Sequence, residues 1–392
     1  MRIFFSALTS TVLAAGLSLA STSLHAESSC GQVAQWPGAS WSAPTSGGWN
    51  AALLTKAQQI SSEQGGDAAV MVVHRGQLIA HWGETNTPRL VQSVRKQLLS
   101  GLIGQEVAAG RLDLQASLQE LGIDDEAPPL RPEQRQARVQ DLLESRSGIF
   151  HSAHYEFGAW KRERAGLAGQ NIAPGQLWVY NNWDFNALGS IFERASGTTI
   201  AQAFDERIAA PLGMQDFQPA HVEATGDGSF TAWVLEDRSV HPAYAFRISA
   251  RDLARYGLLW LGCGDWNGTA VLPPSWIINS TRGRPISEGA PADGIQHYFG
   301  QFGWLWWVER GAQRSMHGMP EDLTYYYASG AGGHRLLVIP PLDLVIAHVV
   351  ATPGGVDTIS QLRRRFFGKP EVDREALSTL LTTIINAHPA RQ

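Results

Sequence analysis

A serine three residues ahead of a lysine, in Ser93-Val94-Arg95-Lys96, is the first group in this sequence whose types and spacing could carry chemistry. At a helix start, residues three apart share a face, so the amine can reach the hydroxyl. A serine hydroxyl is a poor nucleophile until a base takes its proton. A lysine amine can be that base when burial and neighbouring groups lower its pKa. The helix N-terminus also favours negative charge building on a substrate oxygen. A serine and a surface lysine meet at this spacing by chance in many helices. Here, however, none of the other lysines, Lys56, Lys161 and Lys369, has a serine at that offset.

Two further groups could complete the set. In Tyr180-Asn181-Asn182 the phenol could relay a proton to a leaving group, and Asn182 could hold a substrate amide. The plainer reading is a buried tyrosine followed by a turn asparagine. In Ala328-Ser329-Gly330-Ala331-Gly332-Gly333, small residues end one strand run and lead into the next. Substrate could lie along that strand at Ser329 and Gly330, and the Ala331 N–H could pair with that of Ser93 as an oxyanion hole. The plainer reading is a glycine-rich hairpin turn.

The elements that must position these residues can be read from period and punctuation. A helix is expected over 51–61. A hairpin follows, with strands at 69–74 and 77–82 turned by Arg75-Gly76. A helix over 92–109 carries the serine and lysine, with Val94, Leu98, Leu102 and Ile103 on its apolar face and Gly110 at its end. From 111 to about 245 the chain reads as mostly helix and loop, with helices at 139–143, 185–195 and 200–209. Ser249 caps a further helix through Leu261. Strands return at 302–308, 323–329, 335–339 and 344–350, and a terminal helix is expected over 374–385. Strands at both ends around a helical middle imply an α+β fold, one antiparallel sheet built from both termini with a helical subdomain at 111–245.

In this order, the helical Ser-x-x-Lys, the Tyr-x-Asn and the small-residue strand resemble the β-lactamase-related serine hydrolases. That group includes class C β-lactamases, D-amino-acid peptidases, carboxylesterases and 6-aminohexanoate-dimer hydrolases. The stretches 92–113, 141–155, 174–189, 246–261 and 303–339 look like its esterase and aminohexanoate-hydrolase side, and the likeness runs from about residue 50 to 365. The resemblance implies a β-lactamase/transpeptidase-like fold and a covalent acyl-enzyme. Ser93 would be acylated, Lys96 and Tyr180 would shuttle protons in an order left open, and Asn182, Ser329, Gly330 and Ala331 would meet the substrate. No cofactor is implied. One departure matters. Where β-lactamases and DD-peptidases usually have Lys-Thr-Gly or His-Thr-Gly, this chain reads Ala328-Ser329-Gly330. A charge-assisted hydrogen bond contributes about 1.5–3 kcal/mol, so a substrate carboxylate loses one to two decades of affinity here unless His334 or Arg335 substitutes. Ester or small-amide hydrolysis is therefore expected ahead of β-lactam or peptidoglycan-peptide hydrolysis. A non-catalytic binding module on the same fold is the third reading.

Bulk properties exclude several classes. Hydrophobic residues are 44% and charged residues 17%, a globular balance. The formal net charge is −5 and no basic block is present, so nucleic acid is not an expected partner. Arg2, an apolar run from Ile3 to Leu19 and Leu24-His25-Ala26 read as a cleavable signal peptide over 1–26. The mature domain would then be 27–392, periplasmic or secreted, with no membrane span after cleavage. Export would permit a bridge between the two cysteines, Cys30 and Cys263, and equally two free thiols. His151 and His154 lack an acidic third ligand at zinc-site spacing, so no metal is expected. Of Trp183, Trp304, Trp306 and Trp307, one is expected to wall an acyl pocket, and Tyr155 and Tyr326 are candidates for the cleft.

Overall fold

The computed structural model describes residues 29–45, 47–64, 67–126, 128–156, 163–224, 239–287, 300–310, 316, 318–351 and 372–392; the expected signal peptide lies outside them. Helix α1 (Ala51–Glu63) is opened by Asn50, whose side chain accepts from the Leu53 N–H. Strands β1 (Ala69–His74) and β2 (Gln77–Trp82) form the expected hairpin. Arg75 and Gly76 take φ of 52° and 88°, the left-handed pair that suits a two-residue turn. A short β3 (Arg89–Leu90) leads to a 3-10 turn, Gln92–Val94, and then to α2 (Arg95–Ala108).

Helix α3 (Val139–Leu143) follows, then α4 (Asn182–Ser196), which Gly197 ends at φ 68°. Helix α5 (Ile200–Phe204) continues as a π turn, Asp205–Ala209, rather than as one regular helix to 209. Strands β4 (Val222–Ala224) and β5 (Tyr244–Ile248) pair with each other, and β5 also pairs with β3. This three-stranded sheet was not legible as a pattern, because each strand is too short to show a period. Ser249 caps α6 (Ala250–Leu261), accepting from the Asp252 N–H at 3.2 Å. A small hairpin, β6 (Asp265–Trp266) and β7 (Thr269–Ala270), and α7 (Pro274–Ser280) come next.

The large sheet is completed by β8 (Arg284–Pro285), β9 (Gln301–Phe302), β10 (Trp307–Glu309), β11 (Tyr325–Gly330), β12 (His334–Ile339) and β13 (Leu344–Val349), and the chain ends in α8 (Arg374–Asn386). The order is β2-β1-β13-β12-β11-β10-β9-β8, so β1 from one end of the chain pairs with β13 from the other. The fold is thus α+β, an antiparallel sheet built from both termini. Helix α6 lies on β12 and β13; a Cβ at Gly257 would meet Leu336 and Val345 at 2.7 and 2.6 Å. Helices α1 and α8 pack on each other.

One expected strand is broken. Residues 302–308 are not continuous: Gly303 donates to Trp306 O, Leu305 takes φ 70°, and the Leu305 N–H bonds to Leu143 O. Alternation therefore does not set the faces of Trp304 and Trp306, because they sit in a turn and not in an extended run. Cys30 and Cys263 form a disulfide that ties the segment before α1 to the end of α6. No helix among the described residues is long and apolar enough to cross a membrane.

Candidate active site

Ser93 is held at a corner. Gln92, before it, takes φ 53°, and the Val94 N–H bonds to Val91 O at 3.1 Å, turning the chain into α2. A non-glycine residue held in the left-handed region stores strain and is a recurrent mark of functional turns. The strain is opposed by packing: the Gln92 side chain accepts from the Tyr155 hydroxyl, and Tyr155 itself sits at φ 62°. Neither residue could be assigned this role from sequence, because the pairing joins positions 63 apart.

Lys96 follows one turn later and is 2% exposed, while Ser93 remains half-buried. The Lys96 Nζ lies 2.8 Å from Ser93 Oγ and 2.7 Å from Tyr180 Oη. The rings of Tyr180 and Phe185 cover it, with centroids 4.8 and 4.9 Å away. No carboxylate pairs with it among the described residues. Burial, and then the charge of Arg95, hold its pKa well below the usual lysine value. Burial pushes the Tyr180 phenol up to about 12, so the phenol stays protonated near neutrality. A neutral amine can accept the serine proton, and the phenol beside it can hand one on.

Tyr180 is fixed from behind. Ser145, at φ 58°, donates its hydroxyl to Val179 O at 2.6 Å and accepts from the Asn181 N–H at 3.1 Å. Asn181 is the cap of α4: its Oδ1 accepts from the Trp183 N–H, and its Nδ2 donates to Ile149 O at 2.6 Å and to Asp184 Oδ1 at 2.8 Å. Asp184 also accepts from Ser147 Oγ at 2.5 Å, and burial pushes its carboxyl well above the usual range. Asn182, by contrast, has no side-chain hydrogen bond among the described residues, although it is buried. Its amide is therefore available to a ligand.

The third element approaches from β11. A Cβ at Gly330 would lie 2.4 Å from Val91 O, so only glycine lets this strand end reach the Ser93 turn. The ladder between β10 and β11 stops at Tyr327, which leaves the outer edge of Ala328–Gly330 without a strand partner among the described residues. Ala331 is exposed just beyond. Ala328 is fully buried and carries no charge, and the two expected substitutes differ. Burial drives His334 down to about 3, so it is a neutral acceptor for the Val350 N–H and not a cation. Arg335 faces Ser329 across the β11–β12 pair, half-buried, with Nη1 donating to Gly330 O and His334 O.

Of the four candidate tryptophans, Trp307 is the one seen against Tyr180 among the described residues, stacked with centroids 6.0 Å apart at 18°. Trp183 is in the core, donating Nε1 to Asp125, and Trp306 packs on Trp260 and Tyr326. Trp304 stands against Trp276. Tyr326 is a core residue and not a cleft residue, because the face of β11 it occupies is covered by Trp260 and Trp306. His151 lies 3.5 Å from Asp125, His154 contacts Ser239 O, and no group of potential metal ligands occurs among the described residues.

The profile of the Beta-lactamase family matches residues 55–367. The chain belongs to the Beta-lactamase family. Solved structures with the same fold include a candidate 6-aminohexanoate-dimer hydrolase from Bacillus anthracis (18% identical, TM-score 0.58, covering 85% of this chain and 86% of that one). A penicillin-binding protein homologue from Caulobacter crescentus is 16% identical, with TM-score 0.57 and 86% and 97% covered. A mutant class C β-lactamase is 14% identical, with TM-score 0.52 and 85% and 97% covered. At these identities the likeness is one of fold. Within this Beta-lactamase-family member, the geometry around Ser93 is what bears on chemistry.

Proposed function

We propose that this family member is an exported serine hydrolase that cleaves esters or small amides through an acyl-enzyme on Ser93. One observation carries the reading: a buried amine without a carboxylate partner among the described residues, within hydrogen-bond distance of both a half-buried serine's hydroxyl and a phenol. Ser93 Oγ attacks the substrate carbonyl as its proton passes to Lys96 Nζ. The oxyanion is met by the N–H groups of Ser93 and Ala331. The proton returns through Tyr180 to the leaving alcohol or amine, whose bond to the carbonyl carbon breaks. Water then repeats the sequence, gives its proton to the same pair, and releases the acid and the free serine. Asn182 holds the substrate amide or carbonyl, and the acyl chain lies along Ser329 and Gly330. Trp307 walls the pocket behind Tyr180.

Export is supported by the charged and apolar N-terminal pattern and by the Cys30–Cys263 disulfide, a bond that persists in oxidising compartments. The test is intact-protein mass spectrometry after exposure to p-nitrophenyl esters. A mass gain of one acyl group at Ser93, absent in Ser93→Ala, is expected. Undiminished turnover by Ser93→Ala would refute the assignment.

A second reading, β-lactam or DD-peptide hydrolysis, is favoured by Arg335, which stands across from Ser329 and could meet a substrate carboxylate. Against it stand the apolar Ala328 and the neutral His334. Nitrocefin turnover matching that of esters would make it the primary reading.

A further inference from the structure

Arg95 lies between the nucleophile and its neighbouring amine in sequence, and it is 0% exposed. Buried guanidinium groups ordinarily have an acid beside them. Arg95 has none among the described residues. Its Nη2 donates to Asn186 Oδ1 at 2.9 Å, while Nε and Nη1 are buried without a hydrogen-bond partner. The groups that face it are neutral: Asn186 from α4, the Tyr244 ring from β5 at 4.4 Å and the Tyr155 ring at 5.7 Å. Burial raises the pKa of both phenols, so neither supplies a negative charge. Arg247 and Glu223, whose charges also reach Tyr155, pair with each other. Around Lys96 itself stand Ser93, Tyr180 and Phe185, again without an acid.

We propose that Arg95 is a positioning residue that acts through Lys96: its guanidinium, buried at the next helix position with no counterion among the described residues, keeps Lys96 in the neutral form that can take the Ser93 proton. This rests on the reading of Ser93 and Lys96 as nucleophile and base. A proton on Lys96 would add a second positive charge to the same buried stretch of α2, and repulsion disfavours that state. The direction agrees with the lowered pKa of Lys96, to which Arg95 contributes after burial. Because an unpaired buried charge costs stability, the arrangement also predicts that neutral residues at this position need not weaken the fold while they lower the fraction of Lys96 in its neutral form.

The experiment follows the rate of Ser93 labelling by a fluorophosphonate probe as a function of pH, read by mass spectrometry, so that no natural substrate need be known. In the wild type, the rate should fall on the acid side as Lys96 takes a proton. Arg95→Met removes the charge, so the Lys96 pKa rises and the acid limb moves to higher pH. A shift of about one pH unit is expected, with about tenfold slower labelling below the midpoint and a preserved alkaline plateau. Arg95→Lys keeps a charge and should leave the midpoint within a few tenths of a unit, roughly the scatter of such measurements. If Arg95→Met does not fold, Arg95→Gln, which keeps a donor for Asn186, is read in the same way. Asn186→Asp, nearly isosteric, neutralises the guanidinium in place and should also move the midpoint upward. A folded neutral variant with the wild-type midpoint overturns the proposal, whatever its melting temperature, and so does an unmoved midpoint in Asn186→Asp. Absence of labelling in the wild type would instead overturn the nucleophile assignment, and this inference with it.

Discussion

The two sides of the cleft are built differently. On the helical side, Ser93, Lys96 and Tyr180 are locked by a strained turn, by the Ser145 and Asn181 hydrogen bonds and by stacked rings, and the reacting atoms lie 2.7–2.8 Å apart. On the strand side, Ala328–Gly330 offers an open backbone edge, small side chains and no cation pointing from position 328. On the proposed mechanism the helical side supplies nucleophile, base and proton relay, and the Ala331 N–H at the end of the strand side completes the oxyanion hole. The strand side lacks the charge that related enzymes use to hold a substrate carboxylate. On that proposal, reaction type rests mainly with the Ser93 turn, Lys96 of α2 and Tyr180 ahead of α4, and substrate choice with the end of β11.

That contrast can be broken by mutation. The largest effect is expected on the helical side. Lys96→Met should lower kcat/KM on p-nitrophenyl esters by about 10³-fold or more, and combining it with Ser93→Ala should add little, since the two act as one unit. If Lys96→Met kept most of its activity, the base would have to be sought elsewhere. Tyr180→Phe should cost about 10²-fold in kcat, the usual scale for one proton-transfer group, with KM nearly unchanged. A selective rise in KM would make the phenol a binding group instead. Gly330→Ala tests the meeting of the two sides. Its Cβ would press on Val91 O at 2.4 Å, so the strand must retreat from the Ser93 turn. The expected cost is about 1–3 kcal/mol in urea unfolding, with a loss of activity on every substrate alike. Smallest, and confined to the strand side, is Ala328→Lys. It should raise kcat/KM for carboxylate-bearing lactams over neutral esters by about ten- to a hundredfold. No change in that ratio would show that charge at position 328 does not select the substrate.

A pH profile sharpens the same comparison. The Lys96 pKa is lowered, so the amine is already deprotonated below the usual lysine range, and activity is lost only as pH falls through that lowered value. His334 on the strand side, depressed to about 3, stays neutral across that span and contributes no limb.

Read from the chain alone, Ser93, Lys96, Tyr180 and Gly330 were legible because each is marked locally: by helical spacing, by a neighbouring asparagine, or by a run of small residues. The β1–β2 hairpin, the Ser249 cap and the Gly197 stop are local in the same sense, since a turn or a cap is specified by a few adjacent residues. The sheet drawn from both ends also followed, because alternating apolar runs occur only early and late. Packing decided the rest. The 302–308 run looks extended, yet a hydrogen bond from Leu305 to Leu143 O bends it, and Trp307 comes to stack on Tyr180. Tyr326 and Tyr327 are adjacent, but Tyr326 is covered by Trp260 and Trp306 while Tyr327 stacks on Trp307. The disulfide spans 233 residues, and nothing near either cysteine encodes it. Arg95 shows the limit most clearly. Nothing in its sequence position marks it, and burial among Asn186, Tyr155 and Tyr244 makes it a charge without a counterion among the described residues. Residue type and spacing determined which groups could react. Desolvation and long-range neighbours, properties of the folded chain, decided their charge states and therefore their chemistry.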